Sequence, residues 1–155
     1  MTRSQFIKKL NKECLNHNDT TLKRMLCGQY KAHGSSRSVY QCKVHPEFVV
    51  KIQHDGRFDN VIENEIWGAV RLADWWAKWF AECVFISKSG KILVQQKIKF
   101  KSSKREYPKK IPRFFTDIRI ENYGFLGDQL KCCDYSYVLY RLTGFMDKKM
   151  RRALW

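Results

Sequence analysis

The chain has 155 residues, which suffices for one domain with a hydrophobic core and is too short for two. Its 44% hydrophobic and 29% charged residues exclude a disordered or fibrous protein, and no apolar run approaches the roughly 18 residues that would span a bilayer. Thirty Lys and Arg against fifteen Asp and Glu give a net charge of +15, which predicts an anionic partner: nucleotide phosphate, nucleic acid or an acidic protein surface.

The first part of the chain predicts helix followed by strands. Phe6, Ile7 and Leu10 form a short apolar face among lysines, so the first 26 residues are expected to be helical. Alternating or β-branched residues then predict three strands, at 29–32, 39–44 and 47–52. Turn-forming residues separate these strands, which favours an antiparallel meander.

The longest predicted helix covers residues 59–76, because apolar residues recur at helical spacing from Ile62 onward. Two further strands are predicted at 83–86 and 91–95, joined by a Ser-Gly turn. The order is thus three strands, a helix and two strands, which predicts a five-stranded antiparallel sheet with one packed helix.

The last third of the chain predicts fewer regular elements. Residues 97–113 are basic and contain two prolines, so they are expected to be irregular. A β-hairpin is predicted with its turn near Gly124 and Gly127 and its second strand at 129–133, and residues 137–154 are predicted to be helical. The fold class is therefore α+β: the five-stranded sheet and its helix, a further β-hairpin and terminal helices, in one domain over residues 1–155.

Eight basic residues lie within the segment 97–113, against a single acid, Glu106. They are Lys97, Lys99, Lys101, Lys104, Arg105, Lys109, Lys110 and Arg113. Phe100 and Tyr107 are among the aromatic residues interleaved with them. Such a loop suits phosphate backbones and stacked bases, or an acidic protein groove. The alternative interpretation of the segment 97–113 is an ordinary solvated loop. The sequence does not indicate an oligomeric state.

The six cysteines predict reduced thiols. No Cys-x-x-Cys pair occurs, and the N-terminal segment lacks the apolar core of a secretion signal. We therefore expect a cytoplasmic protein without disulfides. Cys42 and His45 could supply half of a zinc site, but no second half with ligand spacing follows, so zinc is not expected.

Two polar motifs lie among the first three strands. Gly34, Ser35 and Ser36 form a turn of small residues between the first two strands. Backbone N–H groups in such a turn can approach phosphate oxygens closely. Lys51 lies within a run of β-branched residues on the third strand, where its ammonium group could act as a point charge for phosphate.

Two further motifs supply carboxylates. Glu63 and Glu65 both lie on the predicted helix. Asp117 and Asn122 have the spacing Asp-x-x-x-x-Asn, and Asp134 follows Asn122 by twelve residues, after a predicted strand. Carboxylate and amide oxygens are ligands that Mg²⁺ accepts, and a carboxylate can take a proton from an attacking hydroxyl group.

This order of elements and motifs resembles the nucleotide-binding half of a protein kinase over residues 28–137, and the pattern around Glu63 resembles small kinase-like proteins of bacteriophages. The resemblance implies that the Gly34–Ser36 turn covers the phosphates of ATP and that Lys51 binds its α- and β-phosphates. It also implies an ion pair between Lys51 and a helix carboxylate, with Glu63 preferred and Glu65 as the alternative.

For the remaining polar residues the resemblance implies catalytic roles. Asp117 would accept the hydroxyl proton, and Asn122 and Asp134 would hold Mg²⁺. Phe115 and Thr116 stand where a kinase has His-Arg, and Ser136 replaces the glycine after the metal-binding aspartate. The sequence predicts no full helical lobe, which a kinase uses to position its protein substrate.

Three functions follow as alternatives. The first is a minimal phosphotransferase that uses Mg-ATP, or a degenerate version of one. The second is a non-catalytic, pseudokinase-like module of phage origin that binds and inhibits a host protein or nucleic-acid complex in the host cytoplasm through its basic surface. The third is a plain nucleic-acid-binding α+β domain, which would show salt-steep binding indifferent to ATP.

Overall fold

The structure is a computed structural model that describes residues 1–54, 56–138 and 147–155. The chain divides into two compact units, one of Met1–Glu65 with Glu82–Lys97 and one of Ile66–Ala81 with Ile98–Trp155. These are called the first and the second unit. The single domain over residues 1–155 stays a prediction. None of the helices in the described ranges is long and apolar enough to cross a membrane.

Two helices open the first unit, as the N-terminal pattern predicts. Helix α1 covers Arg3–Glu13 and begins with a capping box, in which the side chains of Thr2 and Gln5 each accept a hydrogen bond from the other residue's backbone N–H. Helix α2 covers Asp19–Leu26, and the side chain of Asn18 caps it by accepting from the backbone of Thr21.

The first unit contains the predicted five-stranded antiparallel sheet. Its strands are β1 Cys27–His33, β2 Arg37–Cys42, β3 Phe48–Gln53, β4 Cys83–Ile86 and β5 Ile92–Gln96. Their spatial order is β1-β2-β3-β5-β4, and every neighbouring pair is antiparallel. The turn between β4 and β5 contains Gly90 at a φ of 74°, a conformation that favours glycine.

Helices α1 and α2 cover one face of this sheet. Phe6, Leu10, Leu22 and Leu26 are buried in one cluster with the apolar side chains of β3, β4 and β5. Phe6 lies with its ring centroid 5.2 Å from that of Phe48. Burial of these side chains removes apolar area from water, at roughly 25 cal/mol for each Å². This core holds β3 in place and so fixes the backbone that carries Lys51.

The predicted helix over 59–76 is interrupted. Helix α3 covers Asp59–Val70 and a short helix α4 covers Asp74–Ala77. Ala73 between them is extended, with φ −120° and ψ 97°. Helical spacing of apolar residues continues through the break, so the sequence pattern does not reveal it. The glutamate expected on this helix lies in α3, before the break.

The second unit contains the predicted β-hairpin. Strand β7 covers Tyr123–Leu126 and β8 covers Gln129–Cys132, and they are paired antiparallel. Gly127 forms the turn at a φ of 59°. The predicted turn position of Gly124 is wrong, because Gly124 lies within β7, where an added Cβ would approach the carbonyl oxygen of Lys99 to 2.8 Å.

The prediction of a helix over residues 137–154 is wrong for residues 150–152, which form a strand. Met150–Arg152 form strand β9, which pairs antiparallel with strand β6, Lys110–Pro112. Pairing with β6 satisfies backbone groups that a helix would have satisfied locally, so a tertiary contact overrides the local preference. The other described residues of that range, 137–138, 147–149 and 153–154, are not helical either, and residues 139–146 lie outside the described residues. Apart from β6 and one turn of 3-10 helix at Lys104–Glu106, the segment 97–113 is irregular, as predicted.

All six cysteines are thiols in the structure. Burial raises the pKa of Cys14 and of Cys42, and it raises the pKa of Cys27 to about 11. These three thiols are therefore neutral at physiological pH, which disfavours them as nucleophiles.

Candidate functional site

Lys51 and Glu63 form a buried ion pair in the first unit. Nζ of Lys51 on β3 lies 2.8 Å from Oε2 of Glu63 on α3, and the two side chains are 5% and 0% exposed. Glu65 is exposed, because two residues along a helix turn the side chain by about 200°. The partner of Lys51 is therefore Glu63, the preferred of the two candidates, and the alternative pairing with Glu65 is wrong.

A second cation shares Glu63. Arg37, the first residue of β2, places NH2 2.8 Å from Oε1 of Glu63, and its side chain is only 7% exposed. The arginine also donates to Oδ1 of Asn60 at 3.3 Å. Arg37 was not among the site residues predicted from the sequence. An arginine beside a turn of small residues suggests a solvated position, and only the packing of β2 against α3 reveals its burial.

A buried amide network surrounds the ion pair. Asn60 is fully buried, and its amide nitrogen donates to the backbone oxygens of Lys51 at 3.2 Å and Lys91 at 2.9 Å. The amide nitrogen of Gln95 on β5 faces Oε2 of Glu63 at 3.4 Å. These contacts tie α3 to β3 and to β5, so the position of Glu63 is fixed from several directions.

The Gly34–Ser36 turn is fastened to the start of α3. Oγ of Ser36 donates to Oδ2 of Asp59 at 2.6 Å, and both side chains are buried. The backbone N–H of Gly34 donates to the carbonyl oxygen of Arg37 at 2.7 Å, which closes the turn. Gly34 and Ser35 are exposed. An added Cβ on Gly34 would meet only that carbonyl oxygen, at 3.6 Å, so packing does not require a glycine there.

In the second unit, the carboxylate of Asp117 is bound by Arg119. Nε of Arg119 lies 3.0 Å from Oδ1 and NH2 lies 2.7 Å from Oδ2, a bidentate contact. The hydrogen bond from Arg119 is the main cause that lowers the pKa of Asp117, against the opposing effect of burial. The same bond raises the pKa of Arg119, and the negative charge of Asp134 adds to that rise. The positive charge of Arg119 therefore interacts favourably with the carboxylates of both Asp117 and Asp134.

The β7–β8 hairpin brings Asn122 beside the segment that carries Asp134. The backbone oxygen of Asn122 accepts from the backbone N–H of Cys133 at 2.8 Å. Asn122 is buried and Asp134 is half-buried. The hydroxyl group of Tyr123 donates to the backbone oxygen of Asp117 at 2.8 Å, and the amide nitrogen of Asn122 faces the same oxygen at 3.5 Å. The three predicted residues of this unit are therefore joined through one hairpin.

The oxygen donors of the second unit suit Mg²⁺ by their chemistry. No group of three or more His, Cys, Asp or Glu residues that could hold a metal ion occurs within the described ranges. Mg²⁺ in nucleotide sites is usually bound by one or two carboxylates, while phosphates and waters complete its shell. Asn122 and Asp134 offer an amide oxygen and a carboxylate of this kind.

The eight predicted basic residues are all exposed. Two of them form ion pairs: Nζ of Lys101 lies 3.8 Å from Oε1 of Glu106, and NH2 of Arg113 lies 2.5 Å from Oδ2 of Asp147. Phe100 between two of the lysines is 57% exposed, whereas Tyr107 is buried. The exposure of the cations leaves them accessible to an anionic partner.

The chain matches no protein-family model and no curated protein. Among solved structures it is similar to the ternary complex of streptomycin, ATP and APH(2")-IIa, with a TM-score of 0.46 and 10% sequence identity. The match covers 88% of this chain and 72% of the other. The chain's own elements show an α+β fold with a five-stranded antiparallel sheet in the order β1-β2-β3-β5-β4.

Proposed function

We propose that the chain is a kinase-like protein that binds Mg-ATP and is degenerate as a phosphotransferase. The observation that carries the proposal is the ion pair between Lys51 and Glu63, buried between the third strand and the helix of the first unit. A buried lysine is costly unless a carboxylate compensates it. The pair therefore keeps an ammonium group in one fixed position on the sheet, as phosphate binding requires.

Each proposed role is the one that the resemblance to kinases implies for that residue. In the first unit, Lys51 would bind phosphate oxygens, and the exposed backbone of Gly34 and Ser35 would cover them. In the second unit, Asn122 and Asp134 would hold Mg²⁺. The bound ion would neutralise phosphate charge, which is the chemistry it supplies to nucleotide sites.

The proposal of degeneracy comes from Asp117. A general base works best when its pKa lies near the ambient pH. Arg119 lowers the pKa of Asp117 and covers both of its carboxylate oxygens. While that contact persists, Asp117 is a poor proton acceptor. We therefore expect binding of nucleotide without efficient transfer.

Thermal unfolding in the presence and absence of Mg-ATP tests the binding. A ligand that binds only the folded state at a concentration of 100 Kd stabilises it by about 2.7 kcal/mol. We expect the Tm of the wild type to rise by several degrees and that of Asp134→Ala to remain unchanged by the ligand. Asp128→Ala is the matched control, because Asp128 is an exposed aspartate in the β7–β8 turn.

Each variant is compared with its own Tm without ligand, so a change in stability does not count as a change in binding. A wild type that Mg-ATP does not stabilise would refute the proposal, as would equal stabilisation of Asp134→Ala. Release of labelled phosphate from ATP then tests degeneracy. We expect Asp117→Asn to match the wild type, and a wild-type rate that this substitution abolishes would show a working phosphotransferase.

A second candidate function is a non-catalytic module that acts through its basic surface. The exposure of all eight predicted basic residues favours it. In a protein of phage origin, the partner would be an acidic surface or nucleic acid of the host. Binding that persists without nucleotide, in the assay described below, separates this function from the first.

A further inference from the structure

The second unit contains a two-stranded antiparallel ribbon that is basic on both strands. Strand β6 and strand β9 pair through Lys110 with Arg152, Ile111 with Arg151 and Pro112 with Met150. Backbone hydrogen bonds of 2.9 Å, from Arg113 to Lys149 and from Ala153 to Lys109, extend the pairing at both ends. The name basic ribbon is used below for residues 109–113 and 149–152.

Arg113 of the basic ribbon is paired with Asp147, but four other cations of the ribbon are not balanced locally. Lys109, Lys110, Lys149 and Arg152 are exposed, and no acidic side chain in the described ranges forms an ion pair with any of them. Lys110 lies directly across from Arg152, and like charges in that position destabilise an antiparallel pair. The close approach of these two positive charges costs stability in the isolated protein. It becomes favourable when a bound polyanion lies over both charges.

One aromatic layer supports both the basic ribbon and an exposed phenylalanine. Trp155, just after β9, donates from Nε1 to the backbone oxygen of Pro108 at 2.8 Å, and its ring lies 5.5 Å from that of Tyr107. The hydroxyl group of Tyr107 accepts from the backbone N–H of Lys101 at 3.2 Å. The ribbon and Phe100 are therefore anchored to the same packed rings.

We infer that the basic ribbon and Phe100 together bind single-stranded nucleic acid. The cations of the ribbon would contact phosphates, and the ring of Phe100, 57% exposed between two exposed lysines, would stack on a base. A run of cations with few acids suits a polymer that carries one charge at every unit. An acidic protein surface presents sparser charge and rarely a flat ring to stack on. This inference deepens the second candidate function and is independent of the Mg-ATP site.

Fluorescence anisotropy with a labelled oligothymidylate of about 15 nucleotides measures the binding. The informative variant is Lys110→Glu, which replaces the like-charge pair with Arg152 by an opposite-charge pair. We expect its affinity to fall about tenfold and the salt dependence, log K against log salt, to flatten by about 0.7. The Tm should stay equal or rise, because opposite charges across an antiparallel pair are favourable.

Lys8→Glu, at an exposed position on α1, is the matched control with the same change in net charge. Equal losses in both variants would show that net charge alone attracts the oligonucleotide and would overturn the inference. Unchanged affinity in Lys110→Glu would also overturn it. Poly-glutamate that competes as well as unlabelled oligothymidylate at equal charge would assign the surface to an acidic protein instead.

Phe100→Ala tests the stacking contact. We expect a roughly fivefold to tenfold loss for the single strand, since stacking of a base on an aromatic ring is sensitive to truncation, and no loss for a duplex of the same length. Phe58→Ala is the control, because Phe58 in the first unit is 68% exposed. Equal effects of the two substitutions, or a loss from Phe100→Ala that is the same for duplex, would refute the role of Phe100.

Discussion

The two units each hold a carboxylate bound by arginine, and burial makes the two pairs different. Glu63 in the first unit is fully buried and lies 2.8 Å from both Arg37 and Lys51. Asp117 in the second unit is 27% exposed, and the side chain of its partner Arg119 is 70% exposed. The same chemical contact is thus desolvated in one unit and screened by water in the other.

This difference in burial determines how much each contact contributes to stability. Removing one partner of a buried pair is strongly destabilising, so the contacts of Glu63 persist as long as the first unit stays folded. An exposed pair contributes little to stability. Loss of the contact between Arg119 and Asp117 therefore costs little stability, whereas Arg37 cannot leave Glu63 without a large loss of stability.

The largest expected effect is that of Glu63→Ala. Removal of the carboxylate that Arg37 and Lys51 share should lower the free energy of unfolding by about 3–5 kcal/mol, the range for breaking buried ion pairs. Urea denaturation measures it. Glu65→Ala on the exposed face of α3 should change the value by less than about 0.5 kcal/mol. Similar losses for the two variants would contradict the burial contrast.

A smaller effect is expected for Asn60→Ala. Asn60 is fully buried and donates to two backbone oxygens, so its removal leaves buried acceptors with fewer donors. The free energy of unfolding should fall by about 2–3 kcal/mol. The half-buried Asn64 on the same helix provides the control, and Asn64→Ala should be nearly neutral. A neutral Asn60→Ala would show that the amide network does not hold α3 on the sheet.

The smallest effect is expected for Arg119→Ala, below about 1 kcal/mol at neutral pH. The pKa of Asp117 lies below its ordinary value of 3.8 in the folded protein. Its contribution to stability is therefore present above that value and is lost as the pH falls through the lower, folded-state pKa. Arg119→Ala should raise this pKa and flatten the loss of stability below about pH 4.

Carboxyl chemical shifts from an NMR titration measure the pKa of Asp117 directly. Lys131→Ala is the comparison, since Lys131 lies on β8 of the same hairpin and its Nζ donates to the backbone oxygen of Phe80. A pKa that Arg119→Ala leaves unchanged would mean that Arg119 does not control this carboxylate. The comparison of the two arginine–carboxylate pairs would then be supported only by the buried contacts of Glu63.

Much of the first unit could be predicted from the sequence. The five strands, the glutamate-bearing helix and the pairing of Lys51 with Glu63 were accessible because each depends on local periodicity or on a known order of motifs. The break after Val70 was not, because Ala73 becomes extended where the apolar spacing still favours a helix. The strand at Met150–Arg152 was missed for a related reason, since its partner β6 lies some forty residues earlier.

The sequence by itself determined the α+β class, the excess of positive charge and the identity of the polar residues that could bind a nucleotide. Local patterns carry that information, because hydrophobic periodicity and residue type are properties of short segments. Only the tertiary structure decided that Arg37 shares Glu63, that Arg119 covers Asp117 and that the basic loop pairs with the basic C-terminus. Burial and pairing bring together residues that are distant in sequence, and the strength of a charge contact depends on the water that this packing excludes.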